Sequence, residues 1–200
     1  VTASPLQHKG FVYAIEMLND ITNKSVLEGL SGNVESDFTV FVKKFNDLLI
    51  RDGLTHLFNR RYIDEKLPVE IFHSTLTKKD TSLLMIDIDE FKKVLQQFSD
   101  VVSSCLKGPN NWIARYGGEE FLVHLPGANY EKAYRRANEI RETVLAFPFL
   151  VDGINGAATI HISCSIGVCV LESGMDMRKW ITCADKNLYL AKEKGGNMVC

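Results

Sequence analysis

Arg115-Tyr116-Gly117-Gly118-Glu119-Glu120-Phe121 sets two glycines and two carboxylates between two apolar runs. Trp112 to Tyr116 reads as one strand and Phe121 to Leu125 as the next. The glycines permit the positive φ that a tight hairpin needs. Glu119 and Glu120 then stand on an exposed turn beside backbone stripped of side chains, where a phosphate and a divalent cation can approach closely.

Outward from this hairpin, the pattern on both sides is mixed. Asn59 to Leu67 suits a helix ended by Pro68, and Ser82 to Ile86 is a continuous apolar strand entering Asp87-Ile88-Asp89. Val94, Leu95, Phe98, Val101, Val102 and Cys105 mark a helix that stops at Gly108-Pro109. Tyr130 to Ala146 is amphipathic, Ile160 to Leu171 is β-type, and Asp176 to Lys194 is a closing helix terminated by Gly195-Gly196. The order β-α-β-β-α-β predicts an α+β fold, a ferredoxin-like or polymerase-palm sheet with helices packed on one side. A helical segment over residues 1–50 is expected to precede it. Its first helix follows Ser4-Pro5 with Phe11, Ala14, Ile15, Leu18 and Ile21 at helical spacing. Its second runs from Phe38 to Leu49. This pair is either a small subdomain with its own core or a dimerising, signal-relaying element.

Composition bounds the function. The formal charge of −2 implies no broad nucleic-acid footprint. No apolar run approaches the ~20 residues that span a bilayer. The five cysteines are scattered without metal-ligand spacing, which predicts reduced thiols in a cytoplasmic compartment. The chain opens mid-pattern, as a piece of a longer protein would, and an upstream sensor domain fits that reading. There is no G-x-x-x-x-G-K-[ST] loop, no G-x-G-x-x-G and no H-E-x-x-H. Ser163 and Ser165 have no neighbouring His, so a hydrolase triad has no support.

The chemistry gathers elsewhere. Asp87 ends a buried strand and Glu119 stands on the hairpin presumed adjacent. Together with the Ile88 carbonyl they make an oxygen-rich site of the kind Mg²⁺ takes while keeping waters and phosphates in its shell. Asp87 alone would read as a cap or turn residue. The second acidic locus shifts the balance toward a metal. Lys92, directly after Phe91, is well placed to meet a phosphate. Lys192, one turn before Gly195, is within reach of a triphosphate, though by itself it would read as a solvated helix residue.

These motifs, in this order, resemble the GGDEF domains, the diguanylate cyclases. The resemblance rests on Asp52-Gly53-Leu54-Thr55 with Asn59-Arg60-Arg61, Asp87-Ile88-Asp89 with Phe91-Lys92, and the run Arg115 to Phe121. It continues through Ser165-Ile166-Gly167-Val168 and Ala184-Asp185 with Leu188-Tyr189 and Ala191-Lys192. It covers about residue 50 to the C-terminus. It implies a palm-like fold and synthesis of cyclic di-GMP from two GTP with release of pyrophosphate across a homodimer of facing domains. It implies Mg²⁺, two ions with GTP bound, held by Asp87, the Ile88 carbonyl and Glu119. Glu119, Glu120 and Lys92 fall in the catalytic set, and Phe91, Lys92, Gly117, Gly118 and Lys192 in the substrate-binding set.

Four departures stand out. Lys93 runs straight into Val94-Leu95-Gln96-Gln97-Phe98 where the family carries a guanine-reading loop. Either that loop is lost or residues are missing from a continuously numbered chain, and the intact register on both sides favours the second. Gly196 stands where an Arg is usual. Gly108 and Asn111 occupy the places of an inhibitory Arg-x-x-Asp, so no product inhibition is expected there. His56 replaces a common Gly. An alternative is a degenerate domain that binds GTP or docks a protein without turnover.

Overall fold

The computed structural model describes residues 2–8, 11–17, 47–89, 94–108, 110–153 and 156–200. The chain divides into two compact units, Val1–Asp47 and Leu48–Cys200. In the first unit, β1 (Thr2–His8) pairs antiparallel with β2 (Phe11–Met17), His8 opposite Phe11. This corrects the expected first helix. Phe11, Val12, Tyr13 and Ile15 are aromatic or β-branched, and that strand preference outweighs their helical spacing. Residues 47–50 are helical; the rest of the expected second helix lies outside the described residues.

The second unit is built on a four-stranded sheet. β3 (Thr81–Asp89), β4 (Trp112–Gly117), β5 (Glu120–Pro126) and β8 (Ser163–Val170) run antiparallel in the order β4-β5-β3-β8. That is the ferredoxin-like strand order the sequence predicts. β6 (Phe149–Gly153) and β7 (Gly156–Ile160) form a separate hairpin that the sequence reading missed.

The helices cover both faces of the sheet, not one. β3 alternates strictly: Leu84, Ile86 and Ile88 enter one core, Leu83 and Met85 the other. The first core is closed by α2 (Leu95–Cys105) and α3 (Tyr130–Ala146) through Phe98, Val102, Ala137 and Ile140. The second is closed by α1 (Arg60–Thr77) and α4 (Met177–Glu193) through Ile63, Leu67, Trp180 and Leu188. A strand buried on both sides must be apolar throughout, which is why Ser82 to Ile86 reads as an unbroken run.

α1 continues through Pro68 to Thr77 and does not stop at Leu67. Pro68 removes one helical N–H, but Pro68 and Asp64 are both exposed, so the carbonyl left over faces water. On the α1 face, burial drives His124 down to a pKa of about 4, so its ring is neutral, hydrogen-bonded to the Thr81 hydroxyl at 2.8 Å.

α4 lies unusually close to β8. A Cβ on Gly167 would come within 2.1 Å of the Ala184 carbonyl oxygen and 2.2 Å of the Leu188 nitrogen. Trp180 Nε1 donates to the Cys169 carbonyl at 3.0 Å and Asn187 Nδ2 to the Val168 carbonyl at 2.7 Å. Cys169 and Cys183 form a disulfide across the same contact, which corrects the expectation of free thiols. Their spacing in sequence does not reveal that the helix folds back onto the strand. Cys105, Cys164 and Cys200 are free.

Gly167→Ala forces backbone apart and not a flexible side chain. It is expected to cost about 3 kcal/mol in urea-denaturation stability, with α4 the element displaced.

Candidate active site

The hairpin turn is Gly118-Glu119, and Gly118 takes a φ of +45° with no atom of the described residues within 4 Å of where a Cβ would stand. A side chain there would be strained and would also fill the open approach to the turn. Gly117 ends β4 and is not left-handed; the register shift between Arg115 and Gly117 makes a bulge at Tyr116 that re-aims the turn.

Arg115 clamps this turn. Its Nε and Nη2 donate to the Gly118 carbonyl at 3.0 and 2.7 Å. Its Nη1 donates to both oxygens of Asp52 at 3.2 Å each. Asp52 is itself held by the Leu54 N–H at 3.2 Å, the Thr55 N–H at 2.9 Å and the Thr55 hydroxyl at 2.8 Å. Asn59 caps α1 by accepting from the Tyr62 N–H at 3.1 Å. It also donates to the Leu49 and Arg51 carbonyls at 2.8 and 3.1 Å. Arg60 stacks over the Tyr116 ring at 3.7 Å. The motif residues 52–60 are thus the footing of the hairpin. Sequence reading quoted them without a role, because the partner of Asp52 lies far away in the chain.

Asp87 stands opposite Glu120 on β5 and Ser165 on β8. The pleat points it toward α4, like Leu83 and Met85. It is buried, with Oδ2 2.7 Å from Lys192 Nζ, while Oδ1 is buried without a hydrogen-bond partner. Burial raises its pKa above the usual carboxylate value; Lys192 opposes that rise, and the charges of Glu119 and Asp89 add to it. Glu120 is likewise raised by burial, then by Asp87 and Asp185, against Lys192 and Arg60. Asp87, Glu120, Asp185, Tyr189 and Lys192 line a cleft of about 500 Å³ along α4. Asp185 is a member the sequence reading left without a role; its signal was position, one helical turn before Tyr189 and two before Lys192.

Asp89, although part of the same motif, is committed elsewhere. It accepts from the Ser163 hydroxyl at 2.7 Å, the Ser165 hydroxyl at 2.9 Å and the Asn197 N–H at 3.0 Å. Gly196 packs against it: a Cβ there would lie 3.4 Å from the Asp89 carboxylate. Phe91 and Lys92, and with them the Lys93–Val94 junction, lie at or beside residues 90–93, outside the described residues. Ile88 has its side chain in the opposite core, so only its carbonyl is available to the cleft.

The donor set suits a hard divalent cation. Among the described residues no three His, Cys, Asp or Glu side chains form a cage. None is required, because Mg²⁺ is commonly held by one or two carboxylates plus substrate phosphates and waters. A buried carboxylate oxygen without a partner, with a second carboxylate acting on the same group, meets that need.

An antiparallel sheet of this order with packed helices is a palm-like fold, and the clamped glycine hairpin and the buried Asp87 lie on adjoining strands of it. Residues 49–198 match the model for "Diguanylate cyclase, GGDEF domain", and the chain belongs to the GGDEF family. It is 34% identical over 164 residues to diguanylate cyclase DosC of Escherichia coli (strain K12), covering 74% of this chain and 34% of DosC. It is 32% identical over 211 residues to response regulator PleD of Caulobacter vibrioides (strain NA1000 / CB15N), covering 94% of this chain and 46% of PleD. The chain thus spans about a third to just under half of these relatives. The solved GGDEF domain of DgcB from Caulobacter crescentus, in complex with c-di-GMP, superposes with a TM-score of 0.70 at 27% identity, over 76% of this chain and 92% of that one. No helix among the described residues is long and apolar enough to cross a membrane.

The Asp52 clamp has a pH signature. Burial pushes its carboxyl up, but the Thr55 N–H and hydroxyl and the Arg115 guanidinium more than reverse this, leaving its pKa below the usual value. Its stabilisation is therefore complete above the unfolded value of about 4 and is lost as pH falls through the lower folded value. Asp52→Asn is expected to cost about 1–2 kcal/mol at pH 7. In urea melts from pH 7 to 2.5 the gap to wild type should close below about pH 4; a gap independent of pH would remove the clamp from the account.

Proposed function

We propose that this chain is a diguanylate cyclase domain. It would join two GTP into cyclic di-GMP with release of pyrophosphate, as a homodimer in which each domain holds one GTP. The observation that carries this is the buried, half-satisfied Asp87 beside Glu119, Glu120 and Lys192 at the glycine hairpin of a GGDEF family member. The 3′-hydroxyl of one nucleotide attacks the α-phosphorus of the other. The new P–O bond replaces the α–β phosphoanhydride bond, and pyrophosphate departs. Closing the ring takes two such attacks, so a single domain cannot complete it.

Each residue has a chemical task. Glu119 takes the proton of the attacking hydroxyl, and the neighbouring Glu120 lines the cleft. Gly117 and Gly118 let the nucleotide lie against bare backbone. Lys192, with Lys92 and Phe91, meets the phosphates. Asp87, the Ile88 carbonyl and Glu119 would hold Mg²⁺, two ions with GTP in place, which when bound neutralise phosphate charge. Phosphoryl transfer depends mainly on positioning and charge stabilisation, which such a cleft supplies. A cytoplasmic setting, where GTP is abundant, and an upstream sensor acting through residues 1–50 complete the reading.

A degenerate domain is the second reading. The match to DosC runs over 164 positions, more than the 74% of this 200-residue chain that enters it. That relative therefore carries residues without a counterpart here. The Lys93–Val94 junction, where a guanine-reading loop is expected, is one place for them. Gly196, where an Arg is usual, points the same way.

Purified protein given GTP and Mg²⁺ is expected to form cyclic di-GMP by liquid chromatography, with Glu119→Gln lowering the rate at least ~10³-fold. GTP bound tightly without any product would establish the degenerate reading instead. Deleting residues 1–45 is expected to change the oligomeric state in sedimentation while leaving the circular dichroism of the remaining unit folded.

A further inference from the structure

Lys192 stands in the last turn of α4, and its ammonium lies 2.7 Å from Asp87 Oδ2. The two side chains differ sharply in exposure: Asp87 is 8% exposed and Lys192 41%. A buried carboxylate without a countercharge is costly, so the ligand-free protein needs a cation at this point. Glu119 and Asp89 act on Asp87 as like charges, and among the described residues Lys192 is the cation acting on it. The other Asp87 oxygen, Oδ1, has no partner, so the ammonium covers only half of the carboxylate.

We propose that Lys192 is a placeholder counterion. In the nucleotide-free protein it holds Asp87 in place of the divalent cation, and it yields only when a triphosphate offers it a better partner. The proposal rests on reading Asp87 as a metal ligand. An ammonium and a divalent ion cannot both sit against one carboxylate without strong repulsion. A metal ion arriving alone must therefore displace Lys192 or take the free Oδ1 against the ammonium's repulsion, and either way the Lys192 charge is left nearby, uncompensated. A metal ion arriving with a triphosphate brings the anion that draws Lys192 away. Lysine suits the exchange, since its charge is a point on a flexible stem that here is part exposed, whereas Asp87 is buried. Lys192 can swing from Asp87 into the cleft without moving the helix that carries it. Metal and nucleotide then bind with positive coupling, and the site refuses free metal.

The test titrates Mn²⁺ alone against the whole protein, following the free ion by electron paramagnetic resonance. The titration is repeated with a non-hydrolysable α,β-methylene GTP analogue. Wild type is expected to bind Mn²⁺ at least about tenfold more tightly with the analogue than without it. Lys192→Met should bind Mn²⁺ alone about tenfold more tightly than wild type, the worth of one charged hydrogen bond, while binding the analogue less tightly. Lys192→Arg, which keeps the charge, should continue to refuse free Mn²⁺, and Asp87→Asn with Lys192→Met should lose the gain. Lys192→Gln, which keeps a hydrogen bond to Asp87 without the charge, runs beside Lys192→Met in case the latter fails to fold. Free Mn²⁺ bound no more tightly by the Met and Gln variants than by wild type overturns the placeholder role, even where the analogue still recruits the ion. Asp87→Asn that recruits Mn²⁺ with the analogue as wild type does overturns the reading of Asp87 itself.

Discussion

The backbone contact between α4 and β8 at Gly167 decides where the charged groups that α4 brings to the cleft stand. With glycine there, the helix settles until Ala184 and Leu188 meet the strand backbone, and Ala184 and Ala191 keep its inner face thin. One further helical turn along, this depth brings Lys192 to within hydrogen-bonding distance of Asp87. A larger residue at 167 would lift the helix and carry Lys192, Asp185 and Tyr189 away together. The disulfide and the two side-chain bonds to β8 carbonyls hold the same contact along α4 from Trp180 to Asn187.

The glycine turn next to Glu120 is held by a different device. Arg115 ties the glycine turn to Asp52, and Asp52 is tied in turn to the backbone of its own loop. Among the described residues nothing packs over Gly118, so the turn is not held by side-chain packing from above. It is ordered from beneath, through charge-assisted hydrogen bonds to its carbonyl. The two acidic residues of the Asp-Ile-Asp motif use their oxygens differently. Asp89 spends its oxygens on two serines and the Asn197 N–H, joining β3 to β8 and to the C-terminal stretch. Asp87, two residues earlier on the same face, keeps one oxygen unpaired.

Much of this is written in the order of residues, because it depends on neighbours in the chain. The β4–β5 hairpin follows from two glycines between apolar runs, and α3 begins after its Asn129 cap and ends before Phe147 as its periodicity indicates. Other features resisted reading. An unbroken apolar run in β3 does not say which side each residue faces, so the second helical layer was not legible. Pro68 marks a helix end only where the lost bond matters, and on an exposed face it does not. The strands at Thr2–His8 and Phe11–Met17 carry helical spacing and strand composition at once, and spacing alone misjudged them.

The sequence by itself determined the strand order, the glycine turn and the family, because each rests on local pattern or on motifs in series. Only the tertiary structure decided that Lys192 covers Asp87, that Asp52 underpins the hairpin through Arg115, and that Asp89 is spent on scaffolding. Those pairings join residues distant in the chain, and their partners are chosen by how closely a helix can approach a strand, a quantity that no spacing along the chain encodes.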